Sequence, residues 1–183
     1  MDEIVSRSML KWPDVPAVYG WLSLDRRGSW MIKTVAGRFE RIANAAVGEF
    51  IARNYAADAE GRWYFQNGPQ RVFVALDYTP WVYRLDDAGE GLIAHTGAVP
   101  RALEAIFLDD EGALLFKTEL GIGVLLDRDL PTVLDRMSVL QGAETQVMLQ
   151  GKNVPIASIR SADVPHRFGF VARPAPRAGE REC

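Results

Sequence analysis

The sequence predicts an α+β fold: mainly antiparallel β-hairpins with one long amphipathic helix, organised as a single domain or as two small packed subdomains. Three observations predict it. Short apolar and aromatic segments recur between glycine-containing turns, as strands do. One stretch, residues 38–54, switches to a helical period. A chain of 183 residues that is 48% hydrophobic and 25% charged has the composition of a folded protein, with enough apolar surface for a core.

The elements follow in order. Residues 1–16 end in Trp12-Pro13-Asp14-Val15-Pro16, where two prolines interrupt regular structure, so they read as an N-terminal arm. Tyr19, Trp21 and Ser23 alternate with Val18, Leu22 and Leu24, and Asp25-Arg26-Arg27-Gly28 turns the chain into Ser29-Trp30-Met31-Ile32-Lys33, a hairpin. Across residues 38–54 the apolar residues Phe39, Ile42, Ala43, Ala46, Val47, Phe50 and Ile51 fall at helical spacing, with Glu40, Asn44 and Glu49 on the other side. A helix covering one face of a sheet, with Phe39, Ile42, Val47, Phe50 and Ile51 buried, is expected there.

Beyond it, Asp58-Ala59-Glu60-Gly61 leads into Arg62-Trp63-Tyr64-Phe65, and Asn67-Gly68 reads as a tight hairpin turn before Gln70–Leu76. Trp81-Val82-Tyr83-Arg84-Leu85, residues 91–95 and residues 113–117 are further strands, the last two entered through Asp86-Asp87-Ala88-Gly89 and Asp109-Asp110-Glu111-Gly112. The four Asp-x-x-Gly sequences are spaced unevenly and lack the ligand plan of a calcium loop, so they read as turns: Asp accepts backbone N–H groups and Gly closes in a left-handed conformation. A short helix is expected from Pro131 to Leu140, ended by Gly142, then a hairpin over residues 145–159 and a last strand over 167–172. The resulting organisation is an arm at 1–16, an α+β subdomain at 17–98 containing the helix 38–54, a β-rich subdomain at 99–173 and a tail at 174–183.

Net charge is −3 and the isoelectric point ≈ 5.5, so no global field favours nucleic acid or an anionic membrane. The single cysteine, Cys183, excludes an intrachain disulfide and a cysteine metal cluster. Asp2, Glu3 and Arg7 stand where a signal peptide would be apolar, and no apolar run is long enough to cross a bilayer. The expected compartment is the cytoplasm.

The order of a Gly-x-Trp hairpin, an amphipathic helix, an Asp-x-x-Gly-Arg-Trp-Tyr strand and Thr79-Pro80-Trp81-Val82 resembles an uncharacterised proteobacterial family. It is similar to the plan of the domain of unknown function 1285. The likeness runs from Gly28 to about Phe116, departs at Gly68-Pro69-Gln70-Arg71-Val72, and is weaker around Phe168-Gly169-Phe170-Val171. It implies an α+β fold of two small packed subdomains and brings no catalytic residue with it.

Candidate site residues are few. A nucleophilic triad needs a histidine, and only His95 and His166 exist; their separation gives no metal-ligand spacing, and no metal is expected. Gly121-x-Gly123 and Gly151-Lys152-Asn153 lack the remainder of any nucleotide fingerprint, so no cofactor is implied. Trp81, Tyr83 and His95 lie on successive hairpin segments that a meander brings to one end of a sheet, with Tyr83 facing Leu92. Glu119 stands apart from the acidic turns. These four residues are the ligand-binding candidates, in a cytoplasmic binding or regulatory module that takes a small molecule or a protein partner in a groove between its halves. A small hydrolase or isomerase using His95 with Glu119 is the alternative. A structural subunit that forms homo-oligomers through an exposed strand edge is a third.

Overall fold

The computed structural model describes residues 1–139, 145–149 and 151–180. The chain divides into two compact units, each built from discontinuous sequence: Met1–Asp25 and Ser29–Tyr78 with the segment from Gly169 onward, and Arg26–Gly28 with Thr79–Phe168.

The first unit holds two helices, α1 (Glu3–Lys11) and α2 (Ala45–Arg53). Its six strands are β1 (Val18–Leu24), β2 (Trp30–Lys33), β3 (Phe39–Arg41), β4 (Tyr55–Ala57), β5 (Trp63–Asn67) and β6 (Gln70–Leu76). They form one sheet in the order β3-β2-β1-β6-β5-β4, in which β1 and β6 pair in parallel and the rest are antiparallel. Leu22, Leu24, Val74 and Leu76, on the two central strands, are buried. From Gly169 the chain returns to this sheet: Val171 N–H donates to the Gly61 carbonyl at 2.9 Å and Leu76 N–H to the Ala172 carbonyl at 2.7 Å.

The second unit holds β7 (Trp81–Leu85), β8 (Leu92–Ala94), β9 (Leu103–Asp109), β10 (Leu114–Thr118), β11 (Gly121–Leu125), α3 (Leu130–Leu134), β12 (Met137–Val139), β13 (Thr145–Leu149), β14 (Lys152–Ile159) and α4 (Val164–Phe168). Its eight strands run β12-β13-β14-β9-β10-β11-β7-β8. Tyr83, Ile106, Leu114, Leu115, Phe116, Val133 and Leu149 are among its fully buried side chains. Parallel pairs β11–β7 and β14–β9 join its antiparallel runs.

The structure corrects the expected α+β fold class. The chain is mostly β, 42% strand against 20% helix, with short helices only and no long amphipathic helix. The expected helix 38–54 divides because Gly37, with φ 78°, closes a turn in which Thr34 N–H donates to the Arg38 carbonyl, pairing β3 with β2. The helix starts only after Asn44, whose side chain accepts from Ala46 and Val47 N–H groups, the stop-and-start signature of an N-cap. Of the expected stripe, Ile51 is buried while Phe39 and Val47 are 43% and 42% exposed. Phe39 and Ile42 matched the helical period by coincidence of spacing.

Other boundaries move as well. The N-terminal arm contains α1, which ends at Lys11 ahead of Pro13. Its first turn is fixed from far away: Asp2 N–H donates to Asn54 Oδ1 at 2.8 Å, and the Asp2 carboxylate accepts from Arg53 Nε and Asn54 Nδ2. The β5–β6 loop is Gly68-Pro69, one residue later than expected, since Asn67 pairs with Gln70. The helix expected from Pro131 stops at Leu134 and is followed by β12; Leu140 and Gly142 lie outside the described residues. Residues 167–172 form the end of α4 and a single bridge from Val171 to Arg62 instead of a strand. The four Asp-x-x-Gly sequences are turns, with Asp25, Asp58, Asp86 and Asp109 each accepting backbone N–H groups.

Candidate functional site

Trp81 and His95 come together in the second unit, with ring centroids 5.7 Å apart. The β7–β8 ladder places Tyr83 opposite Ala94 and Leu85 opposite Leu92, two residues from the expected Tyr83–Leu92 register. His95 exchanges two bonds with Val82: its backbone N–H donates to the Val82 carbonyl at 2.8 Å, and its Nδ1 accepts the Val82 N–H at 3.3 Å. That acceptor role puts the proton of the neutral ring on Nε2, which is itself buried. Burial lowers the imidazole pKa to about 3, so the ring is uncharged near neutral pH.

Tyr83 is fully buried in a polar niche, its hydroxyl 2.7 Å from Thr118 Oγ1 and donating to the Gly121 carbonyl at 3.2 Å. Burial raises its pKa. A Cβ at Gly123 would stand 2.4 Å from the Tyr83 ring and 2.8 Å from Trp81 Cβ, so the strand beside these aromatics admits glycine only. Glu119 is exposed at the β10–β11 turn and accepts from Arg101 and Ala102 N–H groups at 2.5 and 3.1 Å. Those backbone bonds, led by the one from Arg101, hold its carboxyl below the usual range. Glu119 therefore ties a loop, and Trp81, Tyr83, His95 and Glu119 line none of three cavities, of about 830, 520 and 330 Å³, formed among the described residues.

The ≈ 830 Å³ cavity lies in the first unit, between the end of α1, residues 12–17, and one face of β5 and β6. Its floor is set by strand register. Tyr64 faces Phe73 and Gln66 faces Arg71 across the antiparallel pair, so all four side chains share one face. Tyr19 stacks on Phe73 at 4.5 Å, and Ala17, Tyr64 and Phe73 form the packed base.

The polar groups of this face are unevenly satisfied. Arg62 is buried and ion-paired to Asp58 at 2.7 Å and Glu180 at 3.1 Å, with Tyr19 Oη at 3.3 Å. Burial works against its charge, and the bonds to Asp58 and Glu180 outweigh it, so its pKa is raised. Burial, with the Glu180 bond, pushes the Tyr19 hydroxyl up to about 12. Glu180, on the cavity wall, also accepts from Arg177 N–H. This cluster is closed.

Gln66, Arg71 and Asp14 differ. Gln66 is 0% exposed; its Nε2 donates to the Gly68 carbonyl at 2.9 Å, and its Oε1 is buried with no hydrogen-bond donor. Exchanging the amide atoms would set oxygen against the Gly68 carbonyl, so the orientation is fixed. The Arg71 guanidinium lies 4.7 Å over the Tyr64 ring and, among the described residues, has no carboxylate partner. Asp14 is exposed on the facing wall, again without an ion pair or hydrogen bond among the described residues. Leu10 and Trp12, 86% and 57% exposed, complete an apolar rim.

The sequence pointed to histidine and tryptophan and missed this face. A signal was present: Gln66 stands in Trp63-Tyr64-Phe65-Gln66, a polar residue at an inward strand position. The walls come from residues 9–17, whose approach no local pattern shows. Among the described residues no group of three or more His, Cys, Asp or Glu side chains is gathered for a metal ion, and no helix is long and apolar enough to cross a membrane.

Among curated proteins, none matches this chain. The fold is similar to the crystal structure of a DUF1285 family protein from Silicibacter pomeroyi, with a TM-score of 0.56 and 14% identity over 87% of this chain and 97% of that one. At that identity the likeness is one of fold, in keeping with the resemblance read in the sequence. The family model DUF2944, described as "Protein of unknown function (DUF2946)", matches residues 1–175, and the chain belongs to that family.

Proposed function

We propose that the protein is a binding module that holds a small amphipathic molecule in the cavity between α1, residues 12–17 and the β5–β6 face. The observation that carries this reading is Gln66, a fully buried side chain on the lining of a cavity of ≈ 830 Å³, whose Oε1 has no hydrogen-bond donor among the described residues. An unmade buried hydrogen bond costs roughly 1–3 kcal/mol, and a ligand that supplies the missing donor recovers that cost. The volume lies within the range of small-molecule sites, and the lining mixes an aromatic and proline-rich surface with a few polar groups, as such sites do.

The test is a titration with 1-anilinonaphthalene-8-sulfonate, an amphipathic dye that brightens in apolar pockets, against the wild type and Met9→Trp, which fills the cavity from α1. Saturable emission in the wild type, lost in Met9→Trp at an unchanged melting temperature, is the expected result. Equal emission from both proteins places the dye elsewhere and removes the cavity as the site.

A further inference from the structure

We infer that the molecule held in this cavity is a zwitterion of the amino-acid or short-peptide class, with an apolar body between a free carboxylate and a free amine. The inference rests on the reading of the cavity as a binding site and names its ligand class. Its basis is the chemistry left unsatisfied there. Arg71 is a half-buried cation without a carboxylate among the described residues, kept in place by the Tyr64 ring. A guanidinium so held presents two coplanar N–H donors to a carboxylate.

Asp14 is the complementary group, an anion without a cation among the described residues, and Gln66 Oε1 is a buried acceptor that requires an N–H. An ammonium group has three donors and can serve both. Glu180 stands outside this set, because its carboxylate already accepts from Arg62 and from the Arg177 N–H. The groups without a partner among the described residues are therefore one cation, Arg71, one anion, Asp14, and one neutral acceptor, Gln66 Oε1. A simple anion would leave Asp14 and Gln66 unmatched; a simple cation would leave Arg71 so. Between these groups the surface is Leu10, Trp12 and Phe73, which suits leucine-like side chains.

The experiment titrates the protein with trileucine, its N-acetyl form and its C-terminal amide, following tryptophan emission and heat of binding. Each cap removes one charge and should weaken binding about tenfold or more, the scale of one charge-assisted hydrogen bond. Arg71→Gln should abolish the discrimination against the amide and keep that against the N-acetyl form. Asp14→Asn and Gln66→Met should do the reverse. Equal affinity for all three peptides, or no peptide binding beside saturable binding of the naphthalene sulfonate dye, overturns the ligand class while leaving the cavity as a site. Failure of dye and peptides alike overturns the site itself.

Discussion

The two aromatic clusters of this chain use their polar atoms in opposite ways. Around β7 the Tyr83 hydroxyl is spent on Thr118 and Gly121, His95 Nδ1 on Val82, and glycine at 123 lets the backbone close on the rings. On the β5–β6 face, Gln66 and Arg71 are placed as carefully by register, yet an acceptor and a cation remain open above a packed floor of Tyr64 and Phe73. Around β7, then, Tyr83 and His95 spend these polar atoms on the chain itself. The open valences belong to a glutamine, an arginine and an aspartate. What marks a site is the unmatched group, whichever residue carries it.

The comparison breaks most readily at Tyr83. Truncation to alanine removes a buried ring and the bonds of its hydroxyl to Thr118 and Gly121, so Tyr83→Ala should cost about 3–5 kcal/mol in urea denaturation and leave dye or peptide binding to the folded protein unchanged. Loss of binding without loss of stability would reverse the roles of the two clusters.

His95 gives the next largest effect, through pH. Its folded pKa, about 3, lies below the ordinary 6.5, so the unfolded chain binds a proton that the native state refuses. The associated stability is fully present above pH 6.5 and is lost as pH falls toward 3. Between pH 6.5 and 4.5 the loss is on the order of 2 kcal/mol, and His95→Gln should flatten that part of the stability profile. A profile identical in the two proteins would show that the ring is not held neutral.

Glu119→Gln should give a smaller change. With its pKa lowered by backbone N–H donors, the carboxylate contributes above its ordinary pKa and loses that contribution as pH falls. The difference between wild type and variant in thermal denaturation should therefore narrow in acid, with no effect on ligand binding. The smallest change in stability belongs to Gln66→Met. It removes an unmatched buried acceptor together with one bond to Gly68, so the two contributions offset to within about 1 kcal/mol. A large destabilisation there would mean that Gln66 is as fully employed as Tyr83.

How far the sequence discloses this arrangement depends on the range of the interactions involved. Turns at Asp25, Asp58, Asp86 and Asp109 are legible because donor and acceptor lie within a few residues. The hairpin β1–β2 follows from the first of them. Apolar periodicity predicts one helix over 38–54 because it counts apolar positions and is blind to the Thr34–Arg38 turn and to Asn44 as a cap. α1 escaped notice because its start is tied by Asp2 to Asn54, about fifty residues away in sequence. Parallel pairing of β1 with β6 leaves no local trace either. The cavity combines both cases: Gln66 is a visible anomaly in an apolar strand, whereas its walls are assembled from the other end of the unit.

The return of the chain from Gly169 to the first sheet has a bearing on synthesis. Chains are made from the N-terminus, so every residue of the second unit exists before Val171 and Ala172, whose hydrogen bonds to Gly61 and Leu76 close the first. The unit begun first is thus completed last. Until Glu180 emerges, Arg62 lacks one of its two close carboxylate partners and keeps only Asp58.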